Sequence, residues 1–177
     1  KGTAFVRVLA LSESELRDII LQVGGEIAAL IPEEGERPRL LRALPQEGLV
    51  ADRTTYFHTV ASLNHLYYLS DGNPLGLGAE TDALIAEYEL GENVPRLLLI
   101  HYPAEDDAAR ALADFEAVYL KDRPVRAPAS AAEPRIETVE EDRAVGLLRD
   151  RKLVVLCFEG SKKQTEKLLT ESVRLYR

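Results

Sequence analysis

ALIAEYE (83–89), GENVP (91–95) and RLLLIHY (96–102) lie almost end to end, and how they are read decides the fold. Two apolar, β-rich runs flank a short stretch with Gly and Pro, which is the signature of a hairpin. Pro103 ends the second strand. A helix is expected over 105–121, with Ala108, Ala111, Leu112, Phe115 and Val118 or Tyr119 on its buried face. Glu105, Asp106 and Asp107 suit the positive end of its dipole. The order recurs downstream. Residues 144–148 and KLVVLCFE (152–159) bracket the turn Arg149-Asp150-Arg151, and a helix opens at Ser161, which forms a capping box with Gln164. Thr165, Leu168, Leu169, Ser172, Val173 and Tyr176 supply its inward stripe.

Residues 83–121 and 144–176 therefore share the order strand, turn, strand, helix. LLLI (97–100) aligns with LVVL (153–156) at an offset of 56, and the helix faces align better at 57. Identity beyond this is slight, so a recurrent way of packing a hairpin under a helix explains the likeness as well as duplication does. Strands joined by short turns are antiparallel. The expected fold is α+β: a sheet of five to seven mostly antiparallel strands with three helices packed on it.

Outward from these units the signals are looser. AFVRVLAL (4–11) reads as a strand feeding a helix through a Ser12-to-Glu15 capping box, and Leu16, Ile19, Ile20, Val23, Ile27, Leu30 and Ile31 recur at helical spacing. Gly24 and Gly25 weaken that helix and are candidates for a kink. Residues 32–53 read as a loop with one helical turn around Leu40, Leu41 and Leu44, and 54–60 as a strand. Asp71-Gly72-Asn73-Pro74 is a strong turn. The Pro/Ala-rich run 122–135 is an internal loop of a chain whose 177 residues fit a single domain.

A formal net charge of −8 argues against nucleic acid as the main partner, because phosphate binding relies on Lys and Arg. The balance is uneven: residues 149–177 hold eight Lys/Arg against four Asp/Glu. The single cysteine, Cys157, permits no intrachain disulfide. No apolar stretch approaches the roughly 20 residues that span a bilayer, so a soluble segment is expected. The sequence starts at Lys1 and has no Met, so a preceding signal peptide or lipid anchor would not be visible in it.

His58, His65 and His101, with Asp71, are suitable zinc ligands by type, but their spacing matches no compact metal motif. No metal or other cofactor is expected. Cys157, at the position matching His101 in the 56 offset, sits in an apolar run that favours a buried, unreactive thiol. Gly160, Ser161, Lys162 and Lys163 open a helix after a strand and form a candidate anion site, although a simple helix cap accounts for the same residues. Gly76-Leu77-Gly78 lacks the third glycine of a dinucleotide fingerprint. The segment richest in recognition chemistry holds Tyr56, His58, Asn64, His65, Tyr67, Tyr68, Asp71 and Asn73, whose rings and amides suit a small ligand or partner.

Tyr56-Phe57, Leu63-Asn64, Tyr67-Tyr68-Leu69-Ser70-Asp71, Leu75-Gly76-Leu77-Gly78 and Glu87-Tyr88, with the strand that follows, resemble an uncharacterised bacterial domain family with many exported members. The likeness is best over 54–120. It implies a bacterial source and points to export, and it assigns no activity and no catalytic residue. The expected function is a non-catalytic ligand-binding or protein-interaction domain. The alternative is a small hydrolase or metal-dependent enzyme using the histidines near 56–78.

Overall fold

A computed structural model describes residue 8 and residues 16–31, 37–121, 133–140 and 142–177. The chain divides into two compact units, Lys1–Arg37 and Pro38–Arg177.

In the first unit, α1 spans Arg17–Leu30 and runs without a break through Gly24 and Gly25. Its half-buried positions, Leu16, Ile20, Gly24, Ile27, Ala28 and Ile31, keep helical spacing. No residue of α1 is fully buried, and Ile19, Leu21, Val23 and Leu30 are exposed. Of the strand expected over 4–11 only residue 8 is described, and it lies in no strand; the Ser12 cap lies outside the described residues.

The second unit contains a 3-10 helix at Arg39–Ala43, β1 (Leu49–Phe57), α2 (Val60–Leu66), β2 (Asp82–Tyr88), β3 (Arg96–His101), α3 (Glu105–Tyr119), β4 (Arg135–Glu140), β5 (Arg143–Asp150), β6 (Leu153–Gly160) and α4 (Lys162–Tyr176). The strands form one antiparallel sheet in the order β1-β2-β3-β6-β5-β4. The α+β expectation holds, with six strands and, among the described residues, four α-helices rather than three. The added helix is α2, where Thr59 Oγ1 accepts from Ser62 N and Leu63 is buried. Of the loop expected over 122–135, residues 122–132 lie outside the described residues, and its last residue, Arg135, opens β4.

Both faces of the sheet are covered. Side chains alternate along each strand, so Leu98, Ile100, Val154 and Leu156 join α2 and α3 in one apolar cluster. Leu97, Leu99, Leu153, Val155 and Cys157 join the 3-10 helix and α4 in another. The two strand-turn-strand-helix units appear as β2-β3-α3 and β5-β6-α4.

Their strands meet at the centre of the sheet, where Leu99 faces Val155, the residue 56 positions later. That symmetry stops at the helices, because α3 and α4 lie on opposite faces. The cause is local. Between the pairs Ala144↔Gly160 and Gly146↔Cys157, β6 carries one residue more than β5, and Glu159 there adopts a φ of 63°. This bulge adds one residue, turning the strand offset of 56 into the helix offset of 57, and in a period-two strand one residue changes the side.

Candidate functional site

The aromatic segment does not gather into one site. Tyr67 turns inward, its ring 4.6 Å from that of Phe158 and its hydroxyl 3.4 Å from that of Tyr119. The Arg96 guanidinium lies 5.5 Å from the Tyr67 ring centre while pairing with Glu87 and Glu159. Burial is the largest cause that holds the Tyr67 phenol proton on to unusually high pH. Asn64 closes the turn after α2, donating to Ser70 O at 2.8 Å and accepting from Leu69 N at 3.2 Å. Both side chains are engaged within the protein.

Tyr56 and His58 belong to a different neighbourhood. The Tyr56 hydroxyl donates to Asp82, and His58 Nδ1 lies 2.5 Å from the Thr81 carbonyl and 3.9 Å from Asp82 Oδ1. A carbonyl only accepts, so Nδ1 is the donor in this contact. Burial, then the bond to Asp82, keeps the Tyr56 phenol protonated far above its ordinary range. His65 is exposed in the last turn of α2. Among the described residues, no three His, Cys, Asp or Glu side chains are placed to share a metal ion.

Of Tyr68, Asp71 and Asn73, Asn73 lines a recess. Tyr68 is 61% exposed and its hydroxyl donates to Asp71 Oδ1 at 2.8 Å. Asn73 clamps the next turn, donating to Leu77 O and accepting from Leu77 N, both at 2.9 Å. Beneath it the buried Tyr102 hydroxyl donates to Leu75 O at 2.7 Å, and Thr81 Oγ1 binds both backbone groups of Gly78.

These bonds fix residues 73–81 as one wall of a groove whose other wall is the outer side of α3. A cavity of about 440 Å³ is lined by Asn73, Gly76, Glu80, Tyr102, Asp107 and Arg110 among others. A second, of about 410 Å³, is lined by Ser70, Gly72, Pro74, Ala117 and Val118. Asn73 and Asp114 line both. A Cβ built on Gly76 or Gly78 would meet nothing within 4 Å, so the floor there is open.

Of the residues singled out in the sequence, Asn73 lines this groove, and the α3 side was not singled out. The missed signal was a polar stripe: Asp107, Arg110 and Asp114 stand at helical spacing between the buried positions 108, 111, 112 and 115.

At the candidate anion site, Ser161 Oγ accepts from Gln164 N, while Ser161 N donates to Gln164 Oε1 at 2.8 Å. Gln164 Nε2 donates onward to Leu90 O at 2.6 Å. The capping box thus occupies two backbone donors that an anion would use, leaving Lys162 and Lys163 exposed. Gly160 is buried, and a Cβ there would come 2.9 Å from Thr165 Oγ1. Cys157 is fully buried and its thiol is pushed up to about 12, chiefly by burial.

Comparison with family models, with curated proteins and with solved structures finds no match for this chain. Among the described residues no helix is long and apolar enough to cross a membrane.

Proposed function

We propose that this is a non-catalytic binding domain that holds a small ligand or a segment of a partner protein in the groove between residues 70–81 and the outer side of α3. The observation carrying this reading is the adjoining pair of cavities that share Asn73 and Asp114. One wall is rigid because Asn73, Thr81 and Tyr102 hold its backbone, and a preformed wall lowers the ordering cost of binding. Polar side chains converge on it from α3, as ligand sites require. Placement in an exported bacterial family accords with a binding role and is part of the same proposal.

The histidine-based hydrolase draws its support from His58, which lies beside Asp82. It has the weaker case, since Tyr56 and Asp82 satisfy each other and Asp71, the carboxylate expected to assist, is bound to Tyr68.

The test is ligand-observed NMR with a mixed metabolite and short-peptide library on the whole chain. Hits mapped by amide shifts belong at residues 70–81 and α3, and the exposed substitutions Asp114→Arg and Ala117→Trp weaken them by about tenfold or more without unfolding the protein. Hits that bind both variants as well as the parent overturn the reading. So does hydrolase turnover that disappears in His58→Gln.

A further inference from the structure

Both walls of the groove are acidic. Residues 70–81 and 105–119 together carry seven Asp/Glu and a single basic residue, Arg110. Of these carboxylates, Glu116 pairs with Arg135 and Asp71 binds Tyr68. The charges that line the groove are Glu80, Asp107 and Asp114 against Arg110. Arg110 lies 3.6 Å from Asp107. Glu80 and Asp114 are exposed, and among the described residues no cation pairs with either.

The 70–81 wall has little to offer an anion. The N–H groups of Gly76 and Thr81 donate to the carbonyls of Asn73 and Gly78, and those of Leu77 and Gly78 donate to Asn73 Oδ1 and Thr81 Oγ1. An anion would have to break these bonds and face a negative field besides. A cation that donates hydrogen bonds meets carboxylates on both sides.

Along α3 the groove changes character. Asp107, Arg110 and Asp114 line its first cavity, whereas Asp114, Ala117 and Val118 line the second, together with Pro74. Between Asp107 and Val118 the helix rises about 16 Å, the length of about five residues of extended chain. Asp114 and Val118 share a helix face and lie about 6 Å apart along the axis. Two residues of an extended chain span that distance, and their side chains point the same way.

We propose that the occupant of this groove is an extended segment of a partner protein, with a Lys or Arg seated between Glu80 and Asp114 and an apolar side chain two positions away against Ala117 and Val118. The proposal rests on the binding reading of the groove and adds the sign and shape of what it holds. Charge complementarity selects the basic residue, and the length of the groove selects an extended chain over a compact metabolite.

The test is an amide-shift NMR titration of the whole chain. The probes are the blocked peptides Ala-Lys-Ala-Leu-Ala and Ala-Leu-Ala-Lys-Ala, the same pair with Glu in place of Lys, and n-butylamine. At least one Lys peptide should shift amides of residues 70–81 and 105–119 and bind about fivefold or more tighter than its Glu counterpart. Raising NaCl from about 50 to about 300 mM should weaken it by about twofold or more. The double variant Glu80→Gln with Asp114→Asn should erase the preference for Lys, and Ala117→Trp should weaken the peptide by about threefold or more. Butylamine, which carries the cation alone, should bind about tenfold or more weaker than the peptide.

Lys and Glu peptides that shift the groove amides equally overturn this inference and leave the groove reading standing. Butylamine that matches the peptide overturns the extended occupant. Lys-peptide shifts that fall outside the groove, or no shifts at all, overturn the inference too, and the groove itself then stands or falls by where hits from the mixed library map.

Discussion

Replacing Gly146 with alanine is the sharpest available test of how α4 sits on the sheet. Gly146 pairs with Cys157 and faces α4. A Cβ built there would lie 2.3 Å from Thr165 Cγ2 and 2.6 Å from Leu169 Cδ1. Comfortable carbon–carbon separation is about 3.5–4.0 Å, so the helix or both side chains must give by about 1 Å. Thr165 and Leu169 are fully buried and have nowhere to go.

Overpacking of this kind costs about 1–3 kcal/mol. Without a clash the sign would reverse, because glycine inside a strand is worse than alanine by about 0.5–1 kcal/mol. The assay is urea unfolding followed by far-UV circular dichroism, since the chain has no Trp. Thr165→Ser removes the nearest methyl at a cost of about 0.8 kcal/mol. The double variant should therefore lose less than the sum of the two singles. Unchanged or increased stability in Gly146→Ala, or strict additivity with Thr165→Ser, refutes the close approach of α4 described above.

Two other predictions concern buried polar groups. Arg135, with a side chain 6% exposed, donates to Glu116 at 2.9 Å and to Glu137 at 3.0 Å. Arg135→Met removes both of these ion pairs and should cost about 3–5 kcal/mol at pH 7. Burial already holds the Glu116 carboxyl above its ordinary value, so protonation should narrow the gap to the parent towards pH 5. A gap that does not vary with pH counts against this account. The Cys157 thiol, pushed up to about 12, should resist iodoacetamide at pH 8 in the folded protein and react once guanidinium unfolds it. Rapid labelling of the native chain refutes its burial.

The central hairpins were legible because both sheet faces are covered. Leu97 to Ile100 and Leu153 to Phe158 are apolar on each side, so they read as unbroken strands between unmistakable turns. β4 was illegible for the opposite reason. Its inward residues on the α3 side are Arg135 and Glu137, and Val139 is exposed, which inverts the usual alternation. α2 hid behind β-branched residues at 54–60, where a single turn of chain separates strand from helix.

The candidate groove was half legible. Asn73 and the glycines announce a turn in the sequence, but the second wall comes from a helix more than thirty residues later, and only tertiary packing brings it across. Tyr67 and Asn64 carry recognition chemistry by type and spend it on the protein itself.

The bulge at Glu159 has a consequence for ancestry and assembly. A copy of the strand-strand-helix unit lacking that one residue would send its helix to the side α3 already occupies. The opposite side, with Leu97, Leu99, Val155 and Cys157, would then keep the 3-10 helix but lose the cover that α4 gives it. A single inserted residue thus decides which face of the sheet the last helix covers.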